Sequence, residues 1–268
     1  MNLLKLNAIF WLMLLVGCSD IVGVNSTEDL ETSVKTEIVI SAAASLKEVM
    51  SEIKPLYRQQ YPQVAITYNF AASGTLQRQI EQGAPVDIFV SADRAKINSL
   101  EQQGLLKSNT ISNLLQNKIV LITRQNNNLV IDEFSDLTEE KIDTIALGEP
   151  SSVPAGKYAR EVLNYFQITE QIEDKAVYGK DVRQVLNYVA TGNADAGLVY
   201  LTDAEISRNR VRIIAIAPLQ AHSTINYAIA VTRDSNNPQA ATEFIKFLNT
   251  NRVRDIFTKH GFIPVNNE

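Results

Sequence analysis

The 268-residue sequence predicts an α/β protein, on three observations. Short runs rich in Val and Ile alternate with stretches whose apolar residues recur three and four apart. Turns of Ala, Ser and Gly lead from strand-like runs into helix-like ones. Composition is near the globular average, 45% hydrophobic and 21% charged, so a sizeable core can form. Strand–helix alternation argues for parallel sheets flanked by helices. The length, against about 150 residues per domain, suggests about two domains.

Residues 37–41 (EIVIS) read as a buried strand. Ser45-Leu46-Lys47-Glu48 then has the form of a capping box, with Leu46, Val49, Met50, Ile53 and Leu56 at helical spacing behind it. A second strand over 64–70 is broken by Ser73-Gly74-Thr75, which opens a helix carrying Leu76 and Ile80. Strand 86–90 precedes a short helix over 96–103, ended by Gly104. Strands follow at 118–123 and 144–147. Pro154 suits a first helical turn, where its missing N–H costs nothing. Tyr158, Val162, Leu163 and Phe166 mark that helix's buried side. Asp181 reads as an N-cap, with Val182, Val185, Leu186 and Val189 as the apolar face and Gly192 as the stop. Strands at 196–201, 211–217 and 225–232 precede closing helices over 240–250 and 252–260, with Gly261 as terminator.

Charge and cysteine usage exclude several classes. With a net charge of -5 there is no basic face to coat nucleic acid. A single Cys forms no internal disulfide. Cys18, His222 and His260 are too far apart in sequence for a zinc site, so no metal cation is expected. The apolar stretch 6–16 after Lys5 is too short for a permanent membrane span and fits a secretory h-region. It ends in Leu15-Val16-Gly17-Cys18, which resembles a bacterial lipobox with Cys18 as the lipidated residue. Residues 1–17 are thus expected to be a lipoprotein signal peptide and 18–36, polar and acidic, a tether. The expected location is periplasmic or at the cell surface, anchored to a membrane by acyl chains.

Four turns share one character: 42–45, 71–75, 153–156 and 179–182 each close a loop and begin a helix among small residues. Unpaired N–H groups and the helix dipole favour an anion there. Each turn alone is adequately explained by capping. No G-x-S-x-G, H-E-x-x-H or G-x-x-x-x-G-K occurs, so an enzyme is not expected.

From residue 37 to 265 the chain resembles the periplasmic molybdate-binding proteins of ABC importers. The resemblance is carried by SAAASL (41–46), FAASGTL (70–76), IEQGAPVDIFVSAD (80–93), GEPSSVPAGKYA (148–159), KDVRQVL (180–186), GLVYLTDA (197–204) and FTKHGF (257–262). It implies a two-lobed periplasmic-binding-protein fold of type II, each lobe a mainly parallel sheet, with the ligand in the cleft. Lobe 1 is then 37–123 plus 224–268 and lobe 2 is 124–223. It implies ligand contacts from the hydroxyls of Ser45 and Ser73, the N–H groups of Ala155 and Val182, and the phenol of Tyr200. It further implies molybdate or tungstate as ligand rather than a cofactor, a membrane permease as partner, and a monomer. Gly74 departs from the pattern, since relatives can carry Ser there. The lipobox is a second departure, and it implies a tethered version.

The chemistry of those five residues agrees with an ionised tetrahedral dianion, which only accepts hydrogen bonds. None has a carboxylate, which a protonated phosphate would want. The alternatives are sulfate or another tetrahedral oxyanion, and an exported enzyme on the same fold. Without the resemblance, Tyr200 reads as a core aromatic of its strand. Lys180 and Arg183 read as tuning the local field or as solvated, Asp87 and Asp93 as bonding loops, and His222 and His260 as surface or loop residues.

Overall fold

The computed structural model describes residues 36–265. The expected signal peptide (1–17), the lipidation candidate Cys18 and the tether up to residue 35 lie outside the described residues. Among the described residues the order begins with β1 (Thr36–Ala43), a 3-10 turn (Ala44–Leu46), α1 (Lys47–Gln60), β2 (Val64–Ala71), α2 (Ser73–Glu81), β3 (Ile88–Ser91), α3 (Arg94–Gln102) and β4 (Ser112–Gln116). There follow β5 (Ile119–Arg124), β6 (Ile145–Gly148), α4 (Pro154–Tyr165), α5 (Thr169–Glu173), β7 (Ala176–Gly179), α6 (Val182–Thr191), β8 (Ala196–Tyr200), α7 (Leu201–Ile206) and β9 (Val211–Ile216). It closes with β10 (Asn226–Val231), α8 (Pro238–Leu248), α9 (Asn251–Lys259) and β11 (Ile263–Pro264).

Among the described residues two sheets form, in the orders β11-β4-β10-β3-β1-β2 and β7-β6-β8-β5-β9. The fold is α/β and two-lobed. Parallel pairing holds for β1 with β2 and β3, and for β6 with β7 and β8. The strands near the crossovers, β4, β5, β9 and β10, pair antiparallel, so both sheets are mixed rather than mainly parallel. A strand entering from the other lobe needs no helical crossover and is free to run against its neighbours. For the same reason the first passage between lobes lies at Asn117–Lys118, not after residue 123: β5 pairs with β8 and β9 of the second sheet. Its run Ile119, Val120, Leu121 and Ile122 is buried throughout and would suit either sheet. The strands with weak patterns, β4, β7 and β11, were not legible.

Local chemistry explains the helices beside the cleft. Asp181 accepts from the Gln184 N–H at 2.9 Å, and Gly192 ends α6 at φ 77°, a left-handed conformation that glycine adopts without Cβ strain. Pro154 sits in the first turn of α4. The capping box at Ser45 does not form: Ser45 lies in the 3-10 turn and its hydroxyl meets Tyr227 instead. In the first lobe α1 buries Val49, Met50, Ile53 and Tyr57, with the Tyr57 ring 4.9 Å edge-on from Phe244 of α8. Each such side chain is worth about 1.5–3 kcal/mol on burial, which holds the helix layer rigid under the site.

Candidate functional site

β1, β2 and β3 run parallel in one sheet, and β6, β7 and β8 in the other. Their carboxyl ends therefore lie at one edge of each sheet, where α/β sheets characteristically bind ligands. A small cavity lies between the two edges. Ser45, Ser73, Ala155, Val182 and Tyr200, from both lobes, all line it. The remaining lining is Ala43, Ala44, Ala71, Ala72, Ala92, Val153 and Pro154, so among the described residues no charged side chain borders the space. The cavity is small, about 10 Å³. It suits one compact group; sugars and larger organic ligands occupy pockets of about 300–1,000 Å³.

Each polar group reaches the cavity for a local reason. Ser73 opens α2, and its Oγ accepts the Ala92 N–H at 3.0 Å, which holds the hydroxyl and leaves its hydrogen available. Ser45 Oγ lies 2.8 Å from Tyr227 Oη. Ala155 and Val182 occupy first helical turns, where N–H groups have no intrahelical acceptor. Asp181 caps Gln184, so its carboxylate does not take the Val182 N–H. Tyr200 ends β8, 2% exposed, and its hydroxyl is buried without a partner among the described residues. Burial holds that phenol well above its ordinary pKa of 10, so it remains a neutral donor. An unpartnered buried hydroxyl costs about 1–3 kcal/mol unless something binds it.

The lobes also touch directly around the cavity. The Gly74 N–H donates to the Ser152 carbonyl at 3.0 Å. A Cβ at Gly74 would lie 2.6 Å from that same oxygen, so only glycine permits this approach. Lys157 of α4 bridges both carboxylate oxygens of Asp93 at 3.2 Å. Arg183 of α6 donates to the Ser45 carbonyl at 3.2 Å and pairs with Glu48 of α1. Its Nε lies 2.8 Å from Asp203 Oδ1, an ionic contact outside hydrogen-bonding angle. Asp203 is fully buried, and burial pushes its carboxyl up to about 6 against the opposing pull of Arg183, with Glu48 adding to the rise.

The structure thus brings all five expected residues to one cavity and gives Arg183 a bridging position rather than a solvated one. Asp87 binds the Val39 and Asn237 N–H groups and the Ser235 hydroxyl. Asp93 caps α3 besides meeting Lys157. Lys180, His222 and His260 do not line the cavity; His260 Nε2 contacts Glu52 at 2.7 Å. Asn117, Tyr227 and the Gly74–Ser152 contact were missed, and no local pattern marks them.

Residues 38–263 match the family of bacterial extracellular solute-binding proteins. The chain belongs to that family. A Bacillus subtilis relative, named "Putative ABC transporter substrate-binding lipoprotein YvgL", is 39% identical over 93% of each chain. The molybdate-binding protein ModA of Haemophilus influenzae is 31% identical over 84% of this chain and 89% of its own. Among solved structures, the periplasmic molybdate-binding protein of Azotobacter vinelandii superposes with a TM-score of 0.76, at 21% identity, covering 86% of this chain and 100% of that one. That likeness shows the fold. For a solute-binding protein, a cavity shared between two lobes is the place where the solute would lie.

Proposed function

We propose that this solute-binding protein captures molybdate, and tungstate with it, and presents it to the membrane permease of an ABC importer. The observation that carries the reading is a cavity bordered by hydroxyl and N–H donors with no carboxylate. Within it the buried Tyr200 hydroxyl has no protein partner. A fully ionised tetrahedral anion accepts from every side and donates nothing, and such a donor set satisfies it. Each charge-assisted bond is worth about 1.5–3 kcal/mol net, so a handful can exceed the roughly 8 kcal/mol of a micromolar site after desolvation. Relatives named as molybdate-binding and as an ABC transporter lipoprotein support the ligand and the permease. The same reading takes Cys18 as the lipidated anchor of a monomeric, exported protein.

The test is a thermal titration with molybdate, tungstate, sulfate and phosphate at matched ionic strength. A ligand at a hundredfold excess over Kd stabilises the native state by about 2.7 kcal/mol. Molybdate and tungstate should each raise Tm by several degrees, with sulfate and phosphate inert. A larger rise with sulfate would move the assignment to the smaller anion, and no rise with any of the four would remove the oxyanion.

A further inference from the structure

We infer that Tyr227 is a positioning residue of this site: with Asn117 behind it, it commits the Ser45 hydroxyl to donate into the cavity. The inference rests on the oxyanion reading above and deepens it, because it decides which protonation state of an anion the site accepts.

The direction of the relay follows from counting hydrogens. Asn117 lies where the chain passes from β4 to β5. The Lys118 N–H donates to its Oδ1 at 2.9 Å, which identifies the carbonyl side of the amide. The Nδ2 group therefore donates, to Thr202 Oγ1 at 2.9 Å and to Tyr227 Oη at 3.3 Å. Tyr227, on β10, is fully buried, and burial keeps its phenol protonated. Its oxygen already accepts from Asn117, and its one hydrogen has Ser45 Oγ at 2.8 Å to receive it. Were Ser45 to donate to Tyr227 instead, the phenolic hydrogen would face an amide NH₂ that has no lone pair to offer. It would then stand unpaired in a buried site, at the cost such groups carry. So Tyr227 donates to Ser45, and the Ser45 hydrogen turns to the cavity that this residue lines.

Ser73 is oriented in the same sense by the Ala92 N–H. With both serines committed as donors, and two main-chain N–H groups beside them, an anion's O–H meets a donating hydrogen at Ser45, whose oxygen already has one lone pair taken by Tyr227. Discrimination against protonated anions is thus set from the passage between the lobes, by residues that need not touch the ligand.

The test uses the full chain with molybdate and inorganic phosphate as probes, by calorimetry at mildly alkaline pH, where phosphate is a dianion that still carries one O–H and molybdate is a dianion with none. Tyr227→Phe keeps the ring contacts to Tyr200 and Phe262 and releases the Ser45 lone pair. It should weaken molybdate about tenfold and narrow the molybdate-to-phosphate affinity ratio. In a Ser45→Ala background the same change should alter molybdate affinity by less than about twofold, because coupled residues are not additive. Asn117→Asp supplies an acceptor where the amide donated. It should reverse the relay and shift the ratio toward phosphate by more than about tenfold; with both probes present as dianions its added charge weakens the two alike, and the ratio reports the relay. An unchanged ratio in Tyr227→Phe, or an equal loss with and without Ser45, would overturn the inference while the wild-type protein still binds molybdate. A wild-type protein that binds no oxyanion would instead remove the proposed function and the inference together. Should Asn117→Asp fail to fold, the Tyr227 and Ser45 cycle decides alone.

Discussion

Tyr200 concentrates the chemistry of the site in one atom, a buried hydroxyl with no protein partner at the end of β8. Tyr200→Phe deletes that atom and nothing else. Molybdate affinity should fall about tenfold or more, as expected for a lost bond to a charged group, while the ligand-free Tm holds or rises. Calorimetry and a melt on the same sample check both signs, and a fall in ligand-free Tm would show that the hydroxyl has a structural task. Ser73→Ala should weaken molybdate by a similar factor and also lower stability by about 1–3 kcal/mol, because the buried Ala92 N–H loses its acceptor. Asp203 makes a different prediction. Its carboxyl rises to about 6 in the fold against about 3.9 in the unfolded chain, so the folded state holds the extra proton between these values. Its contribution to stability is full below about pH 4 and is lost as pH rises through about 6. Asp203→Asn should flatten the Tm profile across that window.

The first turns of α2, α4 and α6 do more than present N–H groups. Through Gly74 the start of α2 reaches the loop before α4 by a main-chain bond. Gly74→Ala would drive a methyl into the Ser152 carbonyl. The lobes must then separate by a few tenths of an ångström, and molybdate affinity should fall while Tm of the ligand-free protein changes little. From α6, Arg183 reaches the Ser45 carbonyl, Glu48 and Asp203 at once. Arg183→Met leaves Asp203 buried without a counter-charge, and breaking such a pair costs about 3–5 kcal/mol. The loss should be large at pH 7 and partly recovered near pH 5, where Asp203 takes up a proton, as urea melts at the two pH values would show.

Two lobes joined, among the described residues, by two chain passages can move as hinged bodies. Direct contacts across the cleft then add to whatever the ligand supplies. The Lys157–Asp93 pair is half open to water on its lysine side, with 40% of that side chain exposed, so salt screens it and its worth is about 0.2–1 kcal/mol. Lys157→Met should speed ligand release by no more than about fivefold, and the difference from wild type should shrink at high salt; stopped-flow release measurements would show both. The strands β1, β2, β3, β6 and β8, the caps at Asp181 and Gly192 and the first turn at Pro154 follow from spacing and side-chain chemistry within about ten residues. Their causes are local, so the amino-acid order alone sufficed to read them. The five cavity residues were nameable only through resemblance, because a serine at a helix start looks the same whether it caps or binds. Convergence of Ser45 with Val182 and Tyr200, the assignment of β5 to the second sheet, the Gly74–Ser152 approach and the relay from Asn117 through Tyr227 join residues far apart in the chain. Tyr227 and Ser45 are separated by 182 positions. No periodicity encodes such a pairing, since it depends on strand order and on how the two sheet edges meet. Folding alone brings those groups within bonding distance, where the direction of one hydrogen can decide what the cavity accepts.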